Sequence, residues 1–81
     1  MMADLKRCEV VWLDAHSGTD ATWHSLDDPI EQDPVVVVTR GFLMPDAKPN
    51  HITVAGSLTS DGDVSDLTCI PLGMVRSLET E

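Results

Sequence analysis

The segment 35–44 constrains the fold of this 81-residue chain more than any other. It begins directly after Pro34 with four consecutive valines. A run so rich in β-branched side chains is unfavourable in a helix, because branching at Cβ restricts the χ1 angle. The run therefore predicts a β-strand, and its uniform apolarity predicts that this strand is the central and most buried one. Gly41 lies inside the run and predicts a bulge or a sharp bend.

The N-terminal part of the chain predicts one strand followed by a long loop. Residues 8–14 are rich in β-branched and aromatic types and predict the first strand. The stretch 15–34 contains Gly, Pro and many Asp, which discourage a helix, so we predict a loop with at most one helical turn. Successive side chains of a strand point to opposite faces. One face of this strand therefore carries Val10, Trp12 and Asp14, and the other carries Val11 and Leu13.

The C-terminal half predicts three more strands. After a turn at 45–50, residues 51–59 alternate between apolar and polar types, residues 67–70 are ended by Pro71, and residues 75–79 follow a single tight turn. Five short strands without a long helix favour an all-β fold, a small five-stranded SH3-like barrel with one long Trp-containing loop. The predicted buried residues include Val36, Val38, Ile52, Val54, Leu58, Ile70 and Leu78.

The length of the chain predicts a single domain over residues 1–81, with a small core and therefore limited stability. Such a core favours a homo-oligomer, because a second subunit covers apolar surface that a small chain cannot bury alone. No apolar stretch approaches the length of a membrane helix, so no membrane partner is expected. Cys8 and Cys69 lie in apolar runs without a Cys-x-x-Cys spacing, which predicts two reduced, buried thiols in a cytoplasm.

The charge of the chain is strongly negative and unevenly distributed. It has 14 Asp and Glu against 5 Lys and Arg, a formal net charge of −9, and no basic residue between Arg7 and Arg40. Direct nucleic-acid binding is therefore not expected, because such binding begins with neutralisation of phosphates. The acidic segment predicts either a solubilising surface or a surface that docks onto a basic region of another protein.

No motif indicates catalysis, a metal or a cofactor. His16 and His24 lie in the same segment as several aspartates, but their spacing matches no known closed metal site, and solvated histidines are the simpler interpretation. Residues 61–63 resemble the start of a calcium loop but lack its later glycine and glutamate, so they predict a turn. No serine lies in a nucleophile elbow. We therefore predict a protein that is not an enzyme.

The aromatic residues give the candidate binding site. Trp12 lies on a predicted strand, which favours a place in the core. Trp23 lies in a polar segment beside His24, where it either contacts a ligand or covers the open end of the barrel. An exposed pair of Trp23 and His24 next to Arg40 would offer a stacking surface and one cation, which suits a nucleobase and a phosphate. We predict these three residues as ligand-binding.

One resemblance spans nearly the whole chain. The elements that carry it are Val10-x-Trp12-x-Asp14, Trp23, Gly41-Phe42-Leu43, His51-x-Thr53-x-Ala55-x-Ser57, Asp61-Gly62 and Ile70-Pro71-x-x-Met74-Val75. Their order resembles that in small, mostly uncharacterised accessory proteins of bacteriophages and prophages. The resemblance implies a phage-derived protein acting in the host bacterial cytoplasm, and it implies no particular residue role.

Two functions of different class follow from these observations. The first is an anti-defence sponge, a non-catalytic phage protein that sequesters a small nucleotide messenger of bacterial immunity, in a pocket that a homo-oligomer would complete. The second is an acidic inhibitor that covers a basic site on a host protein, or that imitates nucleic acid. A virion assembly adaptor is a third interpretation.

Overall fold

A computed structural model describes residues 4–15, 23, 25–27 and 33–81. It has five β-strands and one short 3₁₀ helix, and the predicted all-β class is confirmed. The predicted strand boundaries agree with the structure to within three residues. The elements are β1 (Arg7–Asp14), β2 (Val35–Met44), β3 (His51–Leu58), β4 (Val64–Pro71), the 3₁₀ helix η1 (Leu72–Met74) and β5 (Val75–Thr80).

The strands form one antiparallel sheet in the order β4-β3-β2-β1-β5. Strands β1, β2 and β3 each pair with the next strand in the chain, and β5 returns to pair with β1. The sheet is open. In the described part of the chain β4 and β5 are its two edges and are not paired with each other, so the predicted closure into a barrel is not confirmed.

Strand β2 is central, as predicted, and changes partner along its length. All of its residues from Val35 to Phe42 pair with β1, whereas only Phe42–Met44 pair with β3. Gly41 lies where the change occurs, and an added Cβ there would overlap the Ala55 carbonyl oxygen and lie 2.8 Å from Val54 Cγ1. The predicted bulge does not occur in the β1–β2 register, which runs through Gly41 without a shift. The position needs glycine for another reason, since β2 and β3 approach too closely there for a side chain.

The main core cluster lies on one face of the sheet, and Thr53 and Ala55, which alternate with Val54 on β3, are buried on the other face. Cys8, Val10, Val54 and Ile70 are the buried members of the main cluster, and Trp12 and Met74 are among the half-buried residues that pack against them. Trp12 also donates a hydrogen bond from Nε1 to Thr39 Oγ1 over 2.9 Å. The prediction of burial is confirmed for Val54 and Ile70, while Ile52 and Leu58 are half-buried.

Three residues predicted to be buried are exposed: Val36, Val38 and Leu78. The exposed fraction is 61% for Val36 and 51% for Val38, so the prediction that β2 is the most buried strand is wrong. The reason is that Val36 and Val38 pair with Leu13 and Val11, on the face opposite to the core, and that β3 pairs with only the last three residues of β2. Leu78 lies on the edge strand β5, where no further strand covers it.

The turns follow the predicted chemistry. The connection between β2 and β3 has two residues of positive φ, Asp46 and Asn50, both of types that tolerate the left-handed region. The turn before β4 holds Gly62 at a φ of 90° and is closed by Thr59, whose Oγ1 accepts from the Asp63 amide over 3.0 Å. Asp66 has a φ of 56° inside β4, opposite Gly56.

The remaining predictions have mixed outcomes. Both cysteines are free thiols, but only Cys8 is buried, because Cys69 lies on the edge strand β4. Much of the predicted Trp-containing loop lies outside the described residues. Among the described residues, no helix has both the length and the apolarity that a membrane crossing requires.

Candidate functional site

The candidate site lies on the outer face, which we define as the face of β2, β1 and β5 opposite to the core. On β1 this face carries Arg7, Glu9, Val11 and Leu13, because the alternate residues Cys8 and Val10 point into the core. Residues that pair directly in an antiparallel sheet share a face. The register therefore places further side chains in rows across the three strands.

The first row contains three charged residues. Glu9 pairs with Arg40 on β2 and with Glu79 on β5, so its two neighbours carry opposite charges. Arg40 Nε donates to Glu9 Oε2 over 2.7 Å. The structure gives Glu79 no ion pair with any described residue. Two carboxylates that face each other across a strand pair repel, so Glu79 lies in an unfavourable electrostatic environment.

A cleft of about 380 Å³ lies over this row. Arg7 and Phe42 also contribute to it, and Arg7 Nε donates to Glu81 Oε2 over 3.0 Å. The charged residues that line the cleft are two arginines, Arg7 and Arg40, and three glutamates, Glu9, Glu79 and Glu81. Because each arginine is paired with one glutamate, one carboxylate is in excess.

Beyond Glu9, the β1 and β2 members of the rows are apolar, while β5 contributes Ser77 beside Val11. Val11 pairs with Val38, and Leu13 pairs with Val36. We call these four residues the valine ladder. Val36 and Val38 are more than half exposed, while Val11 and Leu13 are half-buried. The opposite face of the same strand segment carries Trp12 and Val37, so this part of the hairpin is apolar on both faces and only one of them packs against the core.

The sequence-predicted site residues lie in three different situations. Arg40 lines the cleft, is largely exposed and pairs with Glu9. Trp23 is fully exposed and does not belong to the cleft lining. His24 lies outside the described residues. The structure therefore describes Arg40 and Trp23 separately, and it does not test whether the three residues act together.

The sequence reasoning missed Glu79 and the valine ladder. The signal for the ladder was present, since Val11 and Leu13 alternate with the core residues of β1 and must occupy the other face. The position of Glu79 opposite Glu9 depends on the register between β1 and β5, which pairs residues from the two ends of the chain. Strand periodicity carries no information about that register.

The two cysteine thiols have different environments. Burial in the core raises the pKa of the Cys8 thiol above its usual range, which keeps it protonated and poorly nucleophilic at neutral pH. Cys69 lies at the surface, and its sulfur accepts a hydrogen bond from Thr53 Oγ1 over 3.5 Å. Within the described ranges, no group of three or more metal-binding side chains occurs; His16 and His24 lie outside them.

Comparisons with known proteins give no relative for this chain: no family model, no curated protein and no solved structure matches it.

Proposed function

We propose that this chain is a non-catalytic protein that binds another protein through the β1–β2 hairpin. The observation that carries the proposal is the valine ladder, an apolar sheet face that lies in the open and is continuous with a charged cleft. Contiguous exposed apolar surface with a polar border is typical of protein interaction sites. This function corresponds to the acidic inhibitor that the sequence suggests.

The context of the proposal is a phage accessory protein in the host bacterial cytoplasm. The strand order and the 3₁₀ turn between β4 and β5 support an SH3-like barrel as the finer description of the fold. The resemblance to phage proteins supports the context. A stoichiometric binding protein fits that context, because it needs no catalytic residues.

The test compares the proteins retained from a bacterial lysate by the immobilised parent chain and by the double variant Val36→Ser with Val38→Ser. Leu72→Ser is the matched control, because Leu72 is also an exposed apolar residue but lies in η1. We expect the parent and the control to retain a protein that the double variant does not retain. Retention of the same proteins by all three chains contradicts the proposal.

A nucleotide sponge is the second candidate, and the two arginines of the cleft support it. The side chains of Arg7 and Arg40 are 70% and 76% exposed, so their remaining N–H groups are accessible to a phosphate, and Phe42 offers an aromatic neighbour. We rank it second because a phosphate would compete with Glu9 and Glu81 and would meet the excess carboxylate.

Calorimetry with cyclic and linear nucleotides tests the sponge. If it is right, Trp23→Ala and Arg40→Ala each weaken binding about tenfold, equivalent to about 1.4 kcal/mol, because stacking and a phosphate contact are lost. Asp27→Asn with Asp28→Asn then leaves binding unchanged or slightly tighter. The absence of any binding heat with the parent chain rejects this candidate.

A homo-oligomer remains part of the proposal. It is supported by the small number of fully buried residues and by the two unpaired edge strands, whose free N–H and C=O groups favour pairing with another chain. Light scattering at micromolar concentration should give a mass that is a multiple of 8.8 kDa. A mass of one chain contradicts it.

A further inference from the structure

We infer that the outer face of β2, β1 and β5 docks an extended, basic segment of the partner protein, with one Lys or Arg on Glu79 and aliphatic side chains on the valine ladder. This inference rests on the proposed function, because it names the chemistry of the partner at the same hairpin. It specifies an occupant that the proposed function leaves open.

The charged row has an excess of negative charge. Across β2, β1 and β5 the order is Arg40, Glu9, Glu79, which is one positive charge followed by two negative charges. Arg40 is already engaged by Glu9 at 2.7 Å. A cation beside Glu79 would balance the row and offset the repulsion between the two carboxylates. A partner that places Lys or Arg there is therefore complementary in charge.

An apolar surface adjoins this charged row. Along β1, Val11 lies two residues after Glu9 and pairs with Val38. Leu13 lies two residues after Val11 and pairs with Val36. Because a strand rises about 3.4 Å per residue, successive rows lie about 6.8 Å apart. An extended partner segment has the same spacing. A segment aligned with β1 therefore matches all three rows if it carries a cation at its first position and aliphatic residues at its third and fifth positions.

Other occupants fit this surface less well than a basic protein does. A second copy would bring another net charge of −9 and the same unpaired Glu79 to the interface. A nucleic acid or an anionic membrane surface would place phosphates against the excess carboxylate of the cleft. Like-charge juxtaposition at an interface costs affinity, so each of these occupants fits the surface less well than a basic polypeptide.

The probe for the test is a labelled extended peptide that contains Arg-Thr-Ile-Thr-Val, with one matched peptide that has Glu in place of Arg. Fluorescence anisotropy measures binding to the parent chain and to Glu79→Gln. Asp61→Asn is the control variant, because Asp61 is an exposed carboxylate in the turn before β4, away from the outer face. Circular dichroism checks that every variant keeps the strand content of the parent.

We expect the Arg peptide to bind the parent and Asp61→Asn equally, and to bind Glu79→Gln about three- to tenfold more weakly. The double variant Val36→Ser with Val38→Ser should lose at least tenfold, because the aliphatic contacts disappear. Binding of the Arg peptide should weaken as salt is raised, since exposed charge pairs are screened. The Glu peptide should bind more weakly than the Arg peptide.

Three outcomes overturn the inference. The first is equal binding of the Arg and Glu peptides, or equal binding to the parent and Glu79→Gln. The second is no Arg-peptide binding at millimolar concentration. The third is a parent dimer that ultracentrifugation shows to become a monomer in the double variant, because a second copy then occupies the ladder. If the double variant still loses its lysate partner while the peptide fails, the proposed function stands and only this inference falls.

Discussion

Two apolar strand segments of this protein have opposite environments. In β3, the consecutive residues Thr53, Val54 and Ala55 are all buried, although their neighbours on both sides are less so. In β2, the uniform valine run contains Val35, Val36 and Val38, which are all exposed. The segment with the more apolar sequence is therefore the less buried of the two.

The difference shows that position in the sheet, and not apolarity, decides burial here. Strand β3 lies between β2 and β4, and β2 approaches it closely enough that Gly41 has no space for a side chain. The valines lie on the part of β2 that β3 does not reach. Among the described residues none covers this apolar end of β2, and the proposed protein contact rests on that observation.

The largest expected effect on stability comes from Gly41, where β2 and β3 meet. Gly41→Ala would place a methyl group against the Ala55 carbonyl and Val54, so the strands must separate. Overpacking typically costs about 1 to 3 kcal/mol. Because backbone atoms must move here, we expect the free energy of unfolding in urea to fall by an amount near the upper end of that range.

Gly73→Ala is the control for this variant. Gly73 lies in η1, and an added Cβ there has no neighbouring atom within 4 Å. We expect its stability to change by less than about 0.5 kcal/mol, as for most surface substitutions. If the two variants have the same stability, then β2 and β3 do not approach each other closely at Gly41 in solution.

A second prediction compares burial directly. Val54→Thr and Val36→Thr both keep the β-branched shape and replace a methyl group by a hydroxyl. Val54 is 1% exposed, so its replacement should cost about 2 kcal/mol, because a buried hydroxyl loses hydration. Val36→Thr should cost less than about 0.5 kcal/mol in the isolated chain. Equal losses in urea denaturation would mean that the valine ladder is covered.

A third prediction concerns backbone strain beside the buried strand. Asp66 lies in β4 opposite Gly56 and adopts a positive φ. Glycine adopts a positive φ without strain, so it would fit at position 66 better than Asp does. Asp66→Gly should therefore raise the free energy of unfolding by about 0.5 to 1 kcal/mol. Ser65→Gly, one residue earlier without a positive φ, should lower it by a similar amount. A loss of stability in Asp66→Gly would indicate that its carboxylate, and not its backbone, determines the local structure.

The smallest expected effect is a dependence on alkaline pH. The pKa of Cys8 is raised in the folded state by burial, so the folded protein retains this proton where the unfolded chain has lost it. Stability from Cys8 is therefore complete below the unfolded pKa of about 8.5 and is lost as pH rises through the folded value. Urea midpoints between pH 7 and 10 should fall more for the parent than for Cys8→Ala. Equal slopes would show that Cys8 is not buried in solution.

The sequence predicted local structure better than it predicted environment. Alternation and turn residues identified the five strands, but the bulge predicted at Gly41 does not occur in the β1–β2 register. The sequence separated Val11 and Leu13 from the core face of β1, whereas the residues of β2 that share their face depend on the β1–β2 register. The row of Arg40, Glu9 and Glu79 could not be predicted either, since the β1–β5 register joins distant parts of the chain.

The return of β5 to β1 also has a consequence for the kinetics of folding. Cys8 pairs with Thr80 and Trp12 pairs with Val75, so this ladder forms only after almost the whole chain has closed into a loop. Pairings of such high sequence separation slow folding, and all-β domains of this size fold in milliseconds to seconds. We expect the β2–β3–β4 meander to form before β5 docks. The charged row is therefore complete only in the fully folded chain, because Glu79 joins it with β5.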